Sequence, residues 1–82
     1  MVAQVVGIQK GIDFKADDGK QIKGNKLHLL FIDDRVDGNA VQALFVRDEI
    51  SIDHIEIGRQ YQFQYDFNFK GRGRLIGIEP LN

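Results

Sequence analysis

Aromatic and polar residues alternate between residues 61 and 69 and lead into a basic, glycine-rich segment. The sequence reads YQFQYDFNF from residue 61 and KGRGR from residue 70. Period-two alternation predicts an extended strand with five rings on one side and polar side chains on the other. Aromatic rings can stack on unpaired bases, and mobile cationic side chains can neutralise phosphates. These residue types at this spacing therefore suit a single-stranded nucleic acid.

The same alternation is also typical of a strand with one face in a hydrophobic core. We expect Tyr61, Phe63 and Tyr65 to be mostly buried. A strand of this length rises about 30 Å, which is more than a small domain's core can cover. We therefore expect Phe67 and Phe69, next to the basic segment, to lie outside the core and to contact a ligand or a partner subunit.

Basic residues cluster at two predicted turns. They are Lys15, Lys20, Lys23 and Lys26 around the first turn, and Lys70, Arg72 and Arg74 around the last. A lysine in a turn is usually only solvated. The joint placement of these cations beside aromatic strands is what favours phosphate contacts.

Catalytic and metal-binding chemistry has few candidates in this chain. There is no cysteine, the one serine, Ser51, lies in an unremarkable setting, and His28 and His54 are far apart in the sequence. We therefore expect no enzyme activity, no metal site and no cofactor. His28 belongs to an apolar strand, where we expect it to face a ligand or to be satisfied by a hydrogen bond.

The formal charge of −1 hides an uneven distribution along the chain. Residues 33–57 hold seven acids and two bases, whereas residues 1–32 and 58–82 are each net positive. If the two outer segments meet in space, they give the molecule a basic face despite its acidic isoelectric point.

Length and composition indicate one small domain spanning residues 1–82. The absence of cysteine makes no demand on an oxidising compartment, no apolar run approaches a membrane span, and the start lacks a basic leader. We expect a cytoplasmic protein.

Apolar patterning and turn residues predict five strands, at residues 2–14, 21–32, 40–47, 59–69 and 74–79. Gly7 and Gly11 indicate bulges in the first strand, and Gly24-Asn25 indicates one in the second. Residues 48–58 fit a strand, a helical turn or an irregular connection equally well. The whole pattern predicts an all-β fold, a five-stranded antiparallel OB-type barrel with protruding hairpins. An SH3-like barrel is the alternative.

Residues 27–32 are apolar on both faces of their predicted strand, which is unusual for a sheet with one wet side. We expect an oligomer partner or a ligand to cover the second face. The specific prediction is a homodimer whose interface includes residues 29–32 and residues 40–46.

From about Gly19 to its end, the chain resembles the gene-five type of single-stranded DNA-binding proteins of filamentous bacteriophages. The resemblance rests on five segments: KQIKGNK at residues 20–26, FID at 31–33, GRQY at 58–61, FKGRGRL at 69–75 and LIGIEP at 75–80. Gly73 stands where the family pattern has an aromatic residue, and Leu27 or His28 where it has a tyrosine.

The resemblance implies an OB barrel that forms a two-fold dimer and coats single-stranded DNA cooperatively, largely independently of sequence, during replication of a phage or another mobile element. It also implies that Lys20, Lys23 and Lys26 contact phosphates, that Phe31 stacks on a base, and that residues 70–74 reach the DNA. RNA is the other nucleic acid of suitable chemistry. The alternative from another functional class is a dimeric β-barrel module that binds protein.

Overall fold

A computed structural model of the chain describes residues 1–67 and 73–81, apart from the side chains of Phe67 and Arg74. Its strands are β1 (Val2–Lys15), β2 (Gln21–Phe31), β3 (Ala40–Arg47), β4 (Gln60–Phe67) and β5 (Gly73–Pro80). Neighbouring strands run antiparallel in one sheet of order β3-β2-β1-β4-β5. The predicted all-β class is confirmed, and the predicted strand ends that fall on described residues agree with the observed ones to within one residue. The predicted end of the fourth strand, residues 68 and 69, lies outside the described residues.

β3 and β5 form the two edges of this sheet. Closing the sheet into the predicted barrel would require these edges to pair, and among the described residues they do not. The two edges instead line a common groove, with Phe45, Val46 and Arg47 on one side and Leu75 and Ile76 on the other. Among the described residues the sheet is therefore open between β3 and β5.

Two bulges bend β1. Its register against β2 shifts between Val5 and Gly7 and again between Gln9 and Ile12. Gly11 supplies the second shift with a φ of 73°, and its N–H donates to Asn25 Oδ1 at 3.3 Å. The predicted bulges at Gly7 and Gly11 are confirmed. The one predicted at Gly24-Asn25 is wrong, because both residues pair in regular register with β3 and the extra residue lies on β1.

The core lies on one face of the sheet. Its fully buried side chains come from four strands and include Val5, Leu27, Leu29, Val46, Tyr61 and Phe63. The expectation for the aromatic strand holds for Tyr61 and Phe63, each about 1% exposed, and is wrong for Tyr65, which is 39% exposed. Tyr65 lies near the end of β4, where the sheet extends past the core.

Residues 48–58 form an irregular connection built from turns, so neither the strand nor the helical turn is observed. Ile52 and Ile55 are buried in the core. The Tyr61 hydroxyl fixes the connection, since it accepts the Glu56 N–H at 2.6 Å and donates to the His54 carbonyl at 3.3 Å. The connection is therefore held by two buried isoleucine side chains and by the hydrogen bonds of the Tyr61 hydroxyl, without strand pairing of its own.

Within the part of the chain that the structure describes, no helix has the length and hydrophobicity to cross a membrane.

Candidate nucleic-acid interface

Strands β1, β2 and β3 present a second face, opposite the core. Side chains alternate across a strand, so the residues between Leu27, Leu29 and the other core positions point away from the core. We call this side of the three strands the outer face. Its members used below are Phe14, Gly24, Lys26, His28, Leu30, Val41, Phe45 and Arg47.

Two aromatic rings meet on the outer face. Phe14 of β1 and Phe45 of β3 lie 6.0 Å apart between ring centroids, with an angle of 66° between their planes. The Phe14 side of this edge-to-face pair is open to solvent, since Phe14 is 47% exposed, while Phe45 is half-buried. We call these two residues the aromatic pair. Their rings are an accessible surface for stacking.

The aromatic pair forms across β2 because Gly24 has no side chain. A Cβ atom at Gly24 would lie 2.7 Å from Phe45 Cζ and 2.3 Å from the Val46 carbonyl oxygen. The φ of Gly24 is not positive, so the glycine is needed here for space and not for backbone conformation. The second bulge of β1 then places Phe14 on the same face as Phe45, through the pairing of Phe14 with Ile22.

Two cations flank the aromatic pair. Lys26 is paired directly with Phe45, and Arg47 is paired with Gly24, one position along the same face. Arg47 is exposed and Lys26 is half-buried. Among the described residues, neither cation has a carboxylate partner in an ion pair. Both are therefore available to an anionic ligand that crosses the rings.

The remaining lysines of the first hairpin are exposed but do not all share this face. Lys23 is paired with Asp13 and Lys15 with Gln21, so both lie on the side of the hairpin opposite Phe14. A hydrogen bond from Gln21 Nε2 to Asp13 Oδ1 ties that side together. Lys20 lies at the turn itself, where its N–H donates to Asp18 Oδ1 at 3.0 Å. Of the four predicted lysines, only Lys26 joins the aromatic pair.

His28 lies on the outer face two positions from Lys26 and is exposed. The adjacent Gly7 leaves room for its ring, since a Cβ atom at Gly7 would lie 3.3 Å from His28 Cδ2. On the outer face the imidazole therefore lies between Lys26 and Leu30.

Phe31 does not lie with these residues. It is half-buried and packs against the core cluster, on the side of β2 that carries Leu27 and Leu29. Its location favours a structural role over a stacking role. The other predicted contacts, namely Phe69, Lys70 and Arg72 and the side chains of Phe67 and Arg74, lie outside the described residues.

Arg35 illustrates a cation that is already engaged. Its guanidinium donates to both carboxylate oxygens of Asp33, from Nε at 3.0 Å and from Nη2 at 2.8 Å. These hydrogen bonds hold the pKa of Asp33 below its ordinary value and the pKa of Arg35 above its own ordinary value.

At Tyr65, partial burial raises the pKa of the hydroxyl above its ordinary value.

Sequence reasoning did not single out Phe45 and Arg47 as candidate contact residues, and it assigned residues 40–46 to a dimer interface. A signal was present, since the alternation in residues 40–47 places these two side chains on the same face. The sequence alone did not show whether this is the core face or the outer face of the sheet.

Comparison with family models, with curated proteins and with solved structures found no match for this chain.

Proposed function

We propose that this protein binds single-stranded DNA and has no catalytic role. The observation that supports the proposal is the solvent-accessible aromatic pair with Lys26 and Arg47 beside it on one face of a small β-sheet. Sheet faces of this kind, with a ring to stack on a base and cations for the backbone, suit an unpaired strand. Strands β2 and β3 also carry the oligonucleotide face of OB folds in general.

Each contact follows from elementary chemistry. The exposed part of Phe14 and the edge of Phe45 offer apolar area to the π-face of a base. Lys26 and Arg47 are placed to neutralise phosphates on either side of that base, and Arg47 can do so with two parallel hydrogen bonds. A duplex keeps its bases stacked inside, so this surface favours a single strand. Stacking and phosphate contacts tolerate any base, which fits binding that is largely independent of sequence.

The wider role in the proposal comes from the resemblance to the filamentous-phage proteins. It comprises cooperative coating of single strands in the cytoplasm during replication of a phage or another mobile element. Lys15, Lys20 and Lys23 are further exposed cations of the first hairpin, but Lys15 and Lys23 lie on the side opposite the aromatic pair. Single-stranded RNA offers the same bases and phosphates and is the second ligand to test.

We also propose that the protein is a homodimer. Val41 is 72% exposed, and Ile32, just past the end of β2, is 78% exposed. Val41 is paired with the half-buried Leu30, so the outer face has an aliphatic end as well as an aromatic one. Leu29 and Val46 are fully buried in the core, so the proposed interface uses the exposed and half-buried positions among residues 30–32 and 40–45, including Leu30, Ile32 and Val41. Sedimentation of a monomer at tens-of-micromolar concentration would contradict the dimer.

The same aliphatic end supports the second candidate function, a module that binds another protein. The two functions are separated by titrating a fluorescently labelled thymine oligonucleotide with the protein at low and at high salt. If the protein binds single-stranded DNA, we expect the logarithm of the affinity to fall linearly with the logarithm of the salt concentration, with a slope near −0.7 for each phosphate contacted. A matched duplex should bind more weakly. No binding, or an affinity that does not change with salt, would favour the protein-binding module.

A further inference from the structure

A groove separates the two edge strands of the sheet. Its volume is about 730 Å³, and its walls include Phe45 and Arg47 from β3, Glu49 and Ile50 from the connection, and Leu75 and Ile76 from β5. Sites for small molecules in proteins have volumes of about 300 to 1,000 Å³ and combine apolar walls with a few polar groups. The groove falls within this range of volume, and its lining combines the apolar Ile50, Leu75 and Ile76 with the charged Arg47 and Glu49.

We propose that this groove receives one base turned out of the bound strand and that it favours a base carrying an exocyclic amino group, cytosine over thymine. The inference rests on the proposed function, because the base arrives as part of a bound single strand. It adds a preference at one position to contacts that otherwise tolerate any base.

The groove is continuous with the outer face. Phe45 and Arg47 belong to both surfaces, since they line the groove and also take part in the aromatic pair and its flanking charges. A strand whose phosphate is held by Arg47 can place the attached base on either side of β3. A base that enters the groove contacts the apolar side chains of Leu75 and Ile76 from β5.

Glu49 supplies the discrimination. It is exposed at the groove, and among the described residues its carboxylate has no ion-pair partner. A carboxylate accepts a hydrogen bond from the N4 amino group of cytosine. Thymine presents a carbonyl oxygen at the same position, and two acceptors repel each other. Arg47 provides the opposite charge that the attached phosphate needs.

The test compares two labelled oligonucleotides of about eight nucleotides, which is within the range of lengths that OB folds cover. One contains only cytosine and the other only thymine, and dissociation constants are measured at the same salt concentration. We expect the cytosine oligomer to bind the unmodified protein about fivefold or more tightly than the thymine oligomer. Glu49→Gln should bring the ratio close to one, because an amide both donates and accepts.

Asp48→Asn is the matched control. It removes the same charge from the neighbouring residue, which does not line this groove, and it should leave the ratio unchanged. Ile76→Trp fills the groove with a larger side chain at a position that is 54% exposed. This variant should lose the cytosine preference while it binds the thymine oligomer within about twofold of the unmodified protein. Thermal melting confirms that each variant is folded.

The outcomes separate the two proposals. Equal affinities for the two oligomers, or a preference that survives both Glu49→Gln and Ile76→Trp, would overturn the base site and leave single-strand binding intact. Failure of both oligomers to bind would overturn the proposed function and the base site together.

Discussion

The ring of Phe45 lies over Gly24, with Cζ 2.7 Å from the position that a Cβ atom on Gly24 would occupy. The Val46 carbonyl oxygen is closer still to that position, at 2.3 Å. A side chain can turn away from such a contact, but the backbone of β3 can move only if the pairing of β2 with β3 changes. The aromatic pair of the outer face therefore depends on the absence of one methyl group.

Replacing Gly24 with alanine should destabilise the protein. The added Cβ atom must displace both the Phe45 ring and the β3 backbone, and overpacking of this kind costs about 1 to 3 kcal/mol. The loss is measured as the change in the free energy of unfolding by chemical denaturation. Gly7→Ala is the control, because its nearest neighbour would be a His28 ring atom at 3.3 Å, which can shift. A Gly24→Ala protein as stable as the original would show that the strands do not approach as described.

Phe45→Ala and Phe31→Ala should have different effects. Loss of the Phe45 ring should weaken binding of a thymine oligonucleotide by about 1 to 3 kcal/mol, with an almost unchanged salt dependence, because stacking is lost and phosphate contacts remain. Phe31 packs against the core, so its removal should lower the melting temperature, with reduced binding only as a consequence of unfolding. Affinity and thermal stability are measured on both variants. A stable Phe31→Ala protein with impaired binding would show that Phe31 stacks on a base.

Lys26→Gln and Arg47→Gln should each make the salt dependence shallower. Each removes one proposed phosphate partner, so the slope of log affinity against log salt should decrease by about 0.7. Arg35→Gln is the matched control, since it removes the same charge from an arginine already held by Asp33 at 2.8 Å. If all three variants change the slope equally, the cations act only through net charge and not at a defined site.

The contact between Asp33 and Arg35 in the loop after β2 should be lost in acid. Arg35 holds the pKa of Asp33 below its ordinary value, so the folded-state value lies below the unfolded one. The stabilisation of the loop is then complete above the unfolded pKa and is lost as the pH falls through the folded pKa. Titration of the Asp33 carboxyl carbon by NMR gives the folded value directly. Arg35→Gln should raise the pKa of Asp33 toward that of an ordinary aspartate. If the substitution leaves this pKa unchanged, the ion pair is absent in solution.

The fold could be predicted from the sequence to the extent that local signals specify it. Alternation in residues 61–67 and the Asp18-Gly19 turn identify a strand and a hairpin, because side-chain period and positive φ are local properties. Gly11 likewise marks a real bulge in β1. The connection at residues 48–58 could not be predicted, because its shape depends on the hydrogen bonds of the Tyr61 hydroxyl with the backbone of Glu56 and His54. No sequence pattern indicates these hydrogen bonds.

The candidate site was harder to predict because it depends on register. Phe14 and Phe45 lie on strands that are not neighbours, with β2 between them, and two bulges decide which face of β1 carries Phe14. A one-residue change of register would place either ring on the opposite face. Phe31 lies on a correctly predicted strand, but the sequence did not show that its side chain packs against the core cluster.

NMR mapping of the isotope-labelled protein shows whether a single strand lies on the outer face. A thymine oligonucleotide is added at low salt, and the change in each backbone amide signal is recorded. We expect the largest changes at Phe14, Gly24, Lys26, Phe45 and Arg47, and little change in the Glu56 to Arg59 turn. Changes confined to the aliphatic end around Val41, or no changes at all, would contradict it.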